Sequence, residues 1–345
     1  MQKNLVLIDK LGSGNAVALL KDNILEDFIF DKKNYSPLET IYVCKIDRVV
    51  KNVNGYFVSL PFGKKGFLRS SVSYKQNAYV KVISNVFGSN EKAQPLSDNI
   101  FLKGKYIILT KGYEGIRFSK KIDNFRKTLI DKEISELHKD SHNIGIIIRT
   151  ASNKVEIENI ILEYKNNISY LRNILEIKHE KVDVIYEGPS AKQIAQREWD
   201  ISEDFVDNDN VSFDNYGVWE QVNQLNHSKV RLQNGAWLSI ETTEAFVSID
   251  VNSGSLLEKN SAFKSNLIAV DEINKQINLR GLGGKIIIDF ISVNIQQKKD
   301  IEKKIKYVFK NDHSLKIHGW TNLGNMELSK KKLKYAITDF FIDYN

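Results

Sequence analysis

Residues 245–255 read AFVSIDVNSGS and residues 283–293 read GGKIIIDFISV, and these two stretches decide the fold. Each places one aspartate, Asp250 or Asp289, at the end of an apolar, β-branched run that predicts a buried strand. An unpaired carboxylate in an apolar setting is costly, so it needs a partner. Since ligand crevices form at the carboxyl ends of strands in α/β sheets, we expect both aspartates at such an edge.

The sequence around the two aspartates predicts an α/β layer. From residue 235 onward, strand patterns AWLSIET and AFVSIDV come first, followed by helical spacing in SAFKSNLIAVDEINKQINL. A strand (KIIIDFI), a helix (IQQKKDIEKKIKYVFKND) and a strand (LKIHGW) complete the order. This alternation puts the strands that end in Asp250 and Asp289 next to each other in one layer.

Two converging carboxylates repel each other unless a cation lies between them. Magnesium is a hard cation that takes oxygen ligands and keeps several waters, so the pair predicts a Mg²⁺ site. Asn252 follows Asp250 by two positions and would share its face of the strand, where its amide could orient a carboxylate or a metal-bound water. A structural interpretation stays open, in which Asp250 starts an Asx-turn and Asp289 caps the next helix.

The rest of the chain predicts further β-rich regions. The first thirty residues predict a small three-stranded meander, and residues 38–100 contain close-spaced strands with glycine turns, which is typical of a small closed barrel of the OB type. Residues 101–181 combine strands with helical spacing. Residues 202–215 predict a loop, and WEQVNQLNHSKVRL (219–232) predicts a helix.

Composition excludes several classes of protein. The chain has 345 residues, 42% of them hydrophobic, which favours a globular fold of two or three domains over disorder. Cys44 is the only cysteine, so one chain forms neither a disulfide nor a cysteine-rich zinc site. No apolar stretch is long enough for a signal peptide or a membrane span, and a cytoplasmic protein is expected. The formal charge of +7 favours an anionic partner, though weakly.

With these residues in hand, the sequence resembles the ribonuclease E/G family. The resemblance is strongest in ETTEAFVSIDVNSG and in FKSNLIAVDEINKQINLRGLGGKIIIDFI, and it continues in HGWTNLGNMELSKKK. Upstream, IYVCKIDRVV and GYFVSLPFGKKGFL resemble the family's barrel, and GKYIILT, GIRFSKKI and GIIIRTAS resemble its 5′-end sensing segment. The resemblance covers nearly the whole chain and is weak in residues 1–37 and 190–230.

The resemblance implies an α+β fold of several subdomains. An RNase H-like subdomain (residues 1–37 and 182–230) would be interrupted by an OB-type RNA-binding barrel (38–100) and a 5′-sensor (101–181). A DNase I-like catalytic subdomain (231–345) would follow.

The activity implied by the resemblance is an endoribonuclease that cuts single-stranded RNA, in RNA processing or decay. Asp250 and Asp289 would bind Mg²⁺, with Mn²⁺ as an alternative, and Asn252 matches the position that supports this site. The metal would activate a water for attack on a phosphodiester. The products would carry a 5′-phosphate and a 3′-hydroxyl.

Several residues are expected to hold RNA. Arg149 and Thr150 combine a guanidinium fork with a hydroxyl, which suits a terminal phosphate, and they match the family's 5′-monophosphate pocket. A surface arginine at a strand end is the structural alternative. Aromatic side chains in the barrel could stack on bases, although such residues are usually core. The remaining candidates are Gly104 and Ile108 for the phosphate pocket, and Phe57, Phe67, Lys45, Lys65, Lys92, Arg280, Lys330 and Lys331 for RNA.

The sequence departs from the family in one respect. Family members commonly carry a paired-cysteine zinc link and a small dimerisation domain after the catalytic domain, which a chain with Cys44 alone does not match. We therefore expect no structural zinc, and a monomer or weak homodimer rather than a tetramer. Two other functions stay open: a non-catalytic RNA-binding protein that uses the barrel, and a metal-independent nuclease, for which His318 is the candidate acid or base.

Overall fold

A computed structural model describes residues 4–33, 35–87, 93–199, 206–207, 211–254 and 261–344. Within these ranges the fold is a mixed α+β arrangement with four sheets. The chain divides into two compact units. The first unit consists of Met1–Lys33 and Ser202–Asn345, and the second consists of Asn34–Ile201.

The strands, in chain order, are β1 (Asn4–Leu11), β2 (Gly14–Lys21), β3 (Ile24–Phe30), β4 (Ile41–Val50), β5 (Gly55–Ser59), β6 (Lys65–Arg69), β7 (Tyr79–Ile83), β8 (Gln94–Leu96), β9 (Phe101–Lys103), β10 (Ile107–Lys111), β11 (Gly115–Phe118), β12 (Ile144–Ile148), β13 (Asp183–Tyr186), β14 (Val206–Asp207), β15 (Lys229–Arg231), β16 (Trp237–Thr242), β17 (Val247–Asn252), β18 (Gly284–Asp289), β19 (Leu315–Trp320) and β20 (Met326–Lys330). The α-helices are α1 (Asn124–His138), α2 (Ile157–Glu176), α3 (Ala191–Glu198), α4 (Ser212–Asn215), α5 (Val218–Gln224), α6 (Ser261–Leu279), α7 (Ile295–Val308) and α8 (Ile337–Tyr344).

The larger sheet of the first unit contains both aspartate-bearing strands. Its order is β15-β16-β17-β18-β20-β19, and β17 and β18 are parallel while the other neighbours are antiparallel. Along β17 the apolar side chains Val247, Ile249 and Val251 are buried, and they pack in one core with residues of α6 and α7. The alternate side chains face away from this core, because successive side chains of a strand point to opposite faces. One face of the sheet is therefore covered by helices and the other is polar.

The smaller sheet of the first unit has the order β14-β1-β2-β3. Its core contains four buried phenylalanines among aliphatic side chains, with Phe28 in edge-to-face contact with Phe340 of α8 at 5.4 Å between ring centroids. The buried Asp9 carboxylate of β1 accepts hydrogen bonds from the backbone amides of Ser212 and Phe213, at 3.2 and 3.1 Å. These bonds hold the start of α4 against the sheet.

The second unit contains a six-stranded sheet and a four-stranded sheet. The six-stranded sheet has the order β13-β4-β5-β6-β8, with β7 also paired to β4 and with β6 and β8 parallel. A further bridge joins Ile83 at the end of β7 to Ser97 just after β8, so the path β7-β4-β5-β6-β8 returns to its first strand. The four-stranded sheet, β11-β12-β10-β9, shares a buried isoleucine-rich core with α1 and α2.

Two local predictions were wrong. The segment 202–215 was predicted as a loop, but the structure places β14 and α4 in it, because α4 buries Phe213 and receives the Asp9 hydrogen bonds. The segment 219–232 was predicted as one helix, but α5 ends at Gln224 and β15 begins at Lys229. Val230 packs on the sheet core while Lys229 and Arg231 flank it, and this alternation suits a strand. No helix in the described ranges is both long and apolar enough to cross a membrane.

Candidate active site

The two aspartates lie side by side at the edge of the larger sheet of the first unit. Asp250 and Asp289 are register partners on the parallel strands β17 and β18, and both are exposed. Neighbouring strands are about 4.8 Å apart, so the two carboxylates share one small region at the carboxyl ends of these strands. The structure brings together the pair that the sequence singled out.

Asn252 contacts Asp250 directly. The Asn252 side-chain amide donates a hydrogen bond to Oδ2 of Asp250 at 2.6 Å. Both residues lie on the polar face of β17, separated by the buried Val251. The hydrogen bond fixes the orientation of the Asp250 carboxylate and leaves its second oxygen available to a ligand.

Asn266 holds the chain immediately beyond Asp289. Its side chain is fully buried on α6, where it donates to the carbonyl of Ile291 at 2.8 Å and accepts from the amide of Ile291 at 3.1 Å. Both backbone groups of a residue two positions after Asp289 are thereby satisfied by one side chain. Sequence reasoning missed this residue; a polar asparagine on the apolar side of a helix was its only signal.

The donor set fits a hard divalent cation that keeps most of its water shell. Two exposed carboxylates at one strand edge supply oxygen ligands of the type that Mg²⁺ prefers, and Mg²⁺ is commonly held by one or two carboxylates. Among the described residues, no group of three or more histidine, cysteine, aspartate or glutamate side chains could form a larger metal cluster. The two carboxylates form an all-oxygen donor set, which matches the predicted Mg²⁺ site.

The structure places four of the predicted RNA contacts on one face of the six-stranded sheet of the second unit. Phe57 of β5 and Phe67 of β6 are cross-strand partners with ring centroids 5.1 Å apart, and both rings are half-buried outside the core of this sheet. Two residues after Phe57 on β5, Ser59 pairs with Lys45 of β4 on one side and with Lys65 of β6 on the other. The face therefore combines aromatic rings with cations, as binding to unpaired bases requires.

Two neighbours of these residues were not predicted. The Arg48 guanidinium lies over the Phe57 ring at 4.8 Å from its centroid, and Tyr79 is the cross-strand partner of Lys45. The Lys65 ammonium is bonded to Asp47 at 2.9 Å, but its side chain is 62% exposed, so the charge stays accessible. Lys92, the remaining predicted lysine of this region, lies outside the described residues.

Arg149 of the predicted phosphate pocket is already engaged by protein groups. Its guanidinium bonds the carbonyls of Gly104 and Lys105 and forms an ion pair with Glu198 at 2.5 Å. Glu198 also accepts from Lys103 at 2.6 Å. Burial alone would raise the pKa of the Glu198 carboxyl, but Lys103, Arg149 and Arg197 outweigh burial and lower it. Glu198 thus stands as an anion where a terminal phosphate would have to bind.

The backbone of the same turn is satisfied by a second acid. Glu163 of α2 accepts hydrogen bonds from the amides of Lys105, Tyr106 and Ile107, each at 2.9 Å. A Cβ atom at Gly104 would come within 2.2 Å of the Glu163 carboxylate, which explains the glycine. Ile108 pairs within the β9-β10-β12 ladder. Thr150 shares a 2.9 Å hydrogen bond with Ser119.

The last three predicted RNA contacts differ in accessibility. Lys331 is exposed. Lys330 is largely buried and forms an ion pair with Asp312, so its charge is compensated within the protein and the structure does not favour it as an RNA contact. Arg280 is 5% exposed, and it donates to Gln276 at 2.7 Å and to the carbonyl of His227 at 2.9 Å. Burial lowers the pKa of Arg280 to about 10.

His318, the candidate of the metal-independent mechanism, lies on β19, two strands away from Asp289 in the sheet order. Its Nε2 contacts Oγ of Ser329 at 2.8 Å. The ring is therefore separated from the paired aspartates by β20, and the structure does not join it to them.

Taken together, the fold and the site define a class: a multi-sheet α+β protein with an acidic strand edge in one unit and an aromatic, basic sheet face in the other. The comparison with known families agrees. The sequence model of the Ribonuclease E/G family matches residues 101–209 and 191–333. The chain belongs to this family.

Individual relatives are similar across almost the whole chain at low identity. Ribonuclease E of Buchnera aphidicola subsp. Schizaphis graminum is 26% identical over 93% of this chain and 39% of the relative. Ribonuclease G of Escherichia coli K12 is 22% identical over 96% of this chain and 80% of the relative. A Ribonuclease E/G-like protein of Pyropia yezoensis is 26% identical over 92% of this chain and 73% of the relative. The chain thus spans well under half the length of the Buchnera enzyme.

Proposed function

We propose that this chain is a metal-dependent endoribonuclease that cleaves single-stranded RNA at the Asp250–Asp289 edge. The observation that carries the proposal is the register pairing of these two exposed aspartates on parallel strands. Membership of the Ribonuclease E/G family and the names of its relatives supply the reaction class, a hydrolysis of RNA.

Each residue of the site has a separate role in this proposal. Asp250 and Asp289 would hold the metal, with Mg²⁺ as the expected ion and Mn²⁺ as an alternative. The bound ion would supply an activated water and stabilise charge on the phosphate oxygens. Asn252 orients the Asp250 carboxylate through their 2.6 Å hydrogen bond. Asn266 keeps the segment after Asp289 in place through Ile291.

The finer architecture is part of the proposal. The strand path β7-β4-β5-β6-β8, with its parallel β6–β8 pair and its Ile83–Ser97 bridge, supports an OB-type barrel whose Phe57–Phe67 face binds RNA. We assign the RNase H-like part to the sheet of β1 to β3 and the DNase I-like catalytic part to the sheet of β15 to β20. A preference for RNA with a 5′-monophosphate would require Glu198 to release Arg149.

The test is a cleavage assay on a short, end-labelled single-stranded RNA. We expect cleavage to stop in EDTA and to return when Mg²⁺ is added, with products that carry 5′-phosphate and 3′-hydroxyl ends. Asp250→Asn and Asp289→Asn should each lower the rate about 100-fold or more, since each removes one charged ligand. Asp300→Asn is the matched control, because Asp300 is an exposed acid of the same unit, paired with Lys303 on α7.

RNA binding should persist in both aspartate variants, because binding in EDTA relies on cations and aromatic rings rather than on the metal. Cleavage that continues in EDTA, or equal rates for Asp250→Asn and Asp300→Asn, would refute the proposal. Binding without any cleavage under all metal conditions would instead identify a non-catalytic RNA-binding protein.

A further inference from the structure

The polar face of the larger sheet extends beyond the two aspartates. The register continues the row of Asp289 and Asp250 through Ser239 of β16 to Lys229 of β15. The next row runs from Asn252 through Trp237 to Arg231. Register partners point to the same face of a sheet, so these side chains form a continuous surface that begins at the aspartates.

Trp237 is suited to hold a flat ring. It is only partly buried, while its neighbours Ala236 and Leu238 are in the core. Its position directly across from Asn252 places the indole beside the residue that orients Asp250. The Lys229 ammonium lies over the indole ring, 4.3 Å from its centroid, so it covers one ring face and must turn to a phosphate when a base stacks on that face. This combination of a cation and an aromatic ring then binds a base and its phosphate at the same time.

The charges nearest the aspartates favour the β15 side of the surface. The row on the other side of the aspartates carries two exposed acids, Glu241 of β16 and Glu327 of β20, and two exposed lysines, Lys285 and Lys316, follow only in the row beyond. Polyanionic RNA is repelled by these acids and attracted towards Lys229 and Arg231. The aspartates themselves need a bound cation before a phosphate can approach them, whereas the β15 end of the surface attracts phosphate without one.

A cavity continues the basic surface beyond the β15 edge. Its volume is about 760 Å³, and its lining includes Lys229, Arg231, Lys275 and Arg280 together with the acid Glu272. Arg280 forms its two hydrogen bonds with neutral groups, a glutamine side chain and a backbone carbonyl. Lys275 is paired with Glu26 at 3.3 Å, but Lys229, Arg231 and Arg280 still outnumber Glu272 in this lining, which suits a phosphate group rather than an apolar ligand.

We propose that single-stranded RNA crosses this face from the aspartate edge towards β15, with one base stacked on Trp237 and adjacent phosphates bound by Lys229 and Arg231. The proposal rests on the endoribonuclease function proposed above and names the residues that position the substrate beside the cleavage site. Trp237 acts here as a positioning residue, because it holds a nucleotide next to the one that reacts.

Binding measured in EDTA tests the proposal without cleavage. A short, unstructured oligoribonucleotide should quench tryptophan fluorescence in the wild type, and Trp237→Leu should remove most of that quenching. Trp237→Leu should also weaken binding roughly 5- to 100-fold, and Trp237→Tyr should restore most of the affinity because it keeps an aromatic face. Equal affinities for the wild type and Trp237→Leu would overturn the proposal.

The salt dependence of RNA affinity tests the roles of Lys229 and Arg231. Lys229→Gln and Arg231→Gln should each reduce the slope of log affinity against log salt by about 0.7, the value for one phosphate contact on a single strand. Lys303→Gln is the control, since Lys303 is an exposed cation on α7, on the helix-covered side of the sheet. Slopes unchanged in the two β15 variants would overturn the phosphate contacts.

The two proposals fail separately. If cleavage requires Asp250 and Asp289 but the Trp237 and β15 variants bind like the wild type, the RNA path is wrong and the endoribonuclease function stands. If the Trp237 variants lose binding but no condition gives cleavage, the binding surface stands and the proposed activity is wrong.

Discussion

Two charged regions differ in how far the protein itself satisfies their charges. One is the aspartate edge of the first unit, formed by Asp250 and Asp289, and the other is the Arg149 cluster of the second unit, formed by Arg149, Lys103 and Glu198. Asp250 is exposed and accepts a hydrogen bond from the neutral Asn252 amide, and Asp289 is exposed beside it. Arg149, by contrast, bonds two carbonyls and the Glu198 carboxylate, which also binds Lys103. One region presents its charge to solvent, and the other compensates its charge internally.

This difference separates a site prepared for a ligand from one that must first be opened. A charged group with few protein partners gives its full interaction energy to an incoming ion. A paired group must lose its partner first, and the lost interaction is subtracted from the binding free energy. We therefore expect the aspartate edge to act on any accessible RNA, and the Arg149 cluster to recognise a terminal phosphate only in competition with Glu198.

After the aspartates themselves, the largest expected effect concerns Asn252, whose side chain donates a hydrogen bond to Asp250. Replacing Asn252 by leucine removes the hydrogen bond that orients the carboxylate. The Mg²⁺ concentration for half-maximal cleavage should rise about 10- to 100-fold, as is typical when a group that orients a metal ligand is lost. High Mg²⁺ should restore the rate. A Mg²⁺ titration of cleavage measures the effect.

Ser248→Ala is the control for Asn252→Leu, since Ser248 lies on the same strand and face and pairs with Ile287 rather than with an aspartate. If Asn252→Leu and Ser248→Ala show the same Mg²⁺ requirement, Asn252 has no part in holding the metal ligand.

Asn266 tests whether the Asp289 side of the edge is held by the core. Asn266→Ala leaves the amide and the carbonyl of Ile291 without this partner in a part-buried setting. The free energy of unfolding should fall by about 1–3 kcal/mol, the cost of orphaned buried polar groups. Urea unfolding measures it, with Asn274→Ala on the same helix as control, because Asn274 bonds only another half-buried side chain, Asn278. Equal urea midpoints for Asn266→Ala and Asn274→Ala would show that Asn266 does not hold the segment after Asp289.

Local sequence patterns predicted the aspartate edge and Asn252 beside it, but not Asn266, which supports the segment after Asp289. A β-branched run that ends in aspartate specifies both a buried strand and its polar end, so Asp250 and Asp289 are visible in the sequence. Asn266 lies in a helix, and nothing local indicates that its side chain meets the backbone of Ile291, 25 positions away. The same holds for Trp237, which reads as an ordinary strand residue until the register places it beside Asn252.

Charge compensation is the other property that the sequence did not show. Arg149 and Glu198 are 49 positions apart, and Lys330 and Asp312 are 18 apart on different elements. Such pairs form only when the sheets and helices are packed, so a lysine or arginine in a family-like motif reads as available although the fold has already engaged it. Local periodicity was enough to assign the strands that end in Asp250 and Asp289, whereas the state of each charge depended on the tertiary structure.

Glu198→Gln should make Arg149 more available to a terminal phosphate. Loss of the carboxylate charge frees Arg149 and Lys103 from their ion pairs, so the preference for 5′-monophosphorylated over 5′-hydroxyl RNA should increase about 5-fold, the scale of one partly exposed ion pair. The measurement is the ratio of cleavage rates on the two RNAs. Glu176→Gln, at an exposed position of α2, is the charge-matched control.

Because the pKa of Glu198 is lowered, its ion pairs are present above the ordinary glutamate pKa of 4.5 and are lost only as the pH falls through the depressed value. Glu198 should therefore cause no change, between pH 6 and pH 8, in the wild-type ratio of cleavage rates on 5′-monophosphorylated and 5′-hydroxyl RNA. A ratio equally large in the wild type and in Glu198→Gln would show that Glu198 does not compete with the terminal phosphate.

The smallest expected effect is a pH dependence of stability that arises from a buried histidine in the second unit. His138 at the end of α1 is buried, with Nε2 donating to the carbonyl of Ile144 at 2.8 Å and Nδ1 in contact with the Tyr164 hydroxyl at 3.1 Å. Burial lowers the pKa of His138 below 6.5, so the unfolded chain binds a proton more readily than the folded one. The stabilisation is complete above pH 6.5 and is lost as the pH falls towards the depressed pKa.

Urea unfolding of the wild type, His138→Gln and His142→Gln at several pH values between 5 and 8 measures this contribution. His138→Gln should be less stable than the wild type at pH 8, and the gap should narrow towards pH 5, because only the wild type must keep this buried imidazole neutral. His142 is exposed, so His142→Gln should follow the wild-type curve. A constant gap across the pH range would mean that His138 contributes through packing and hydrogen bonds alone.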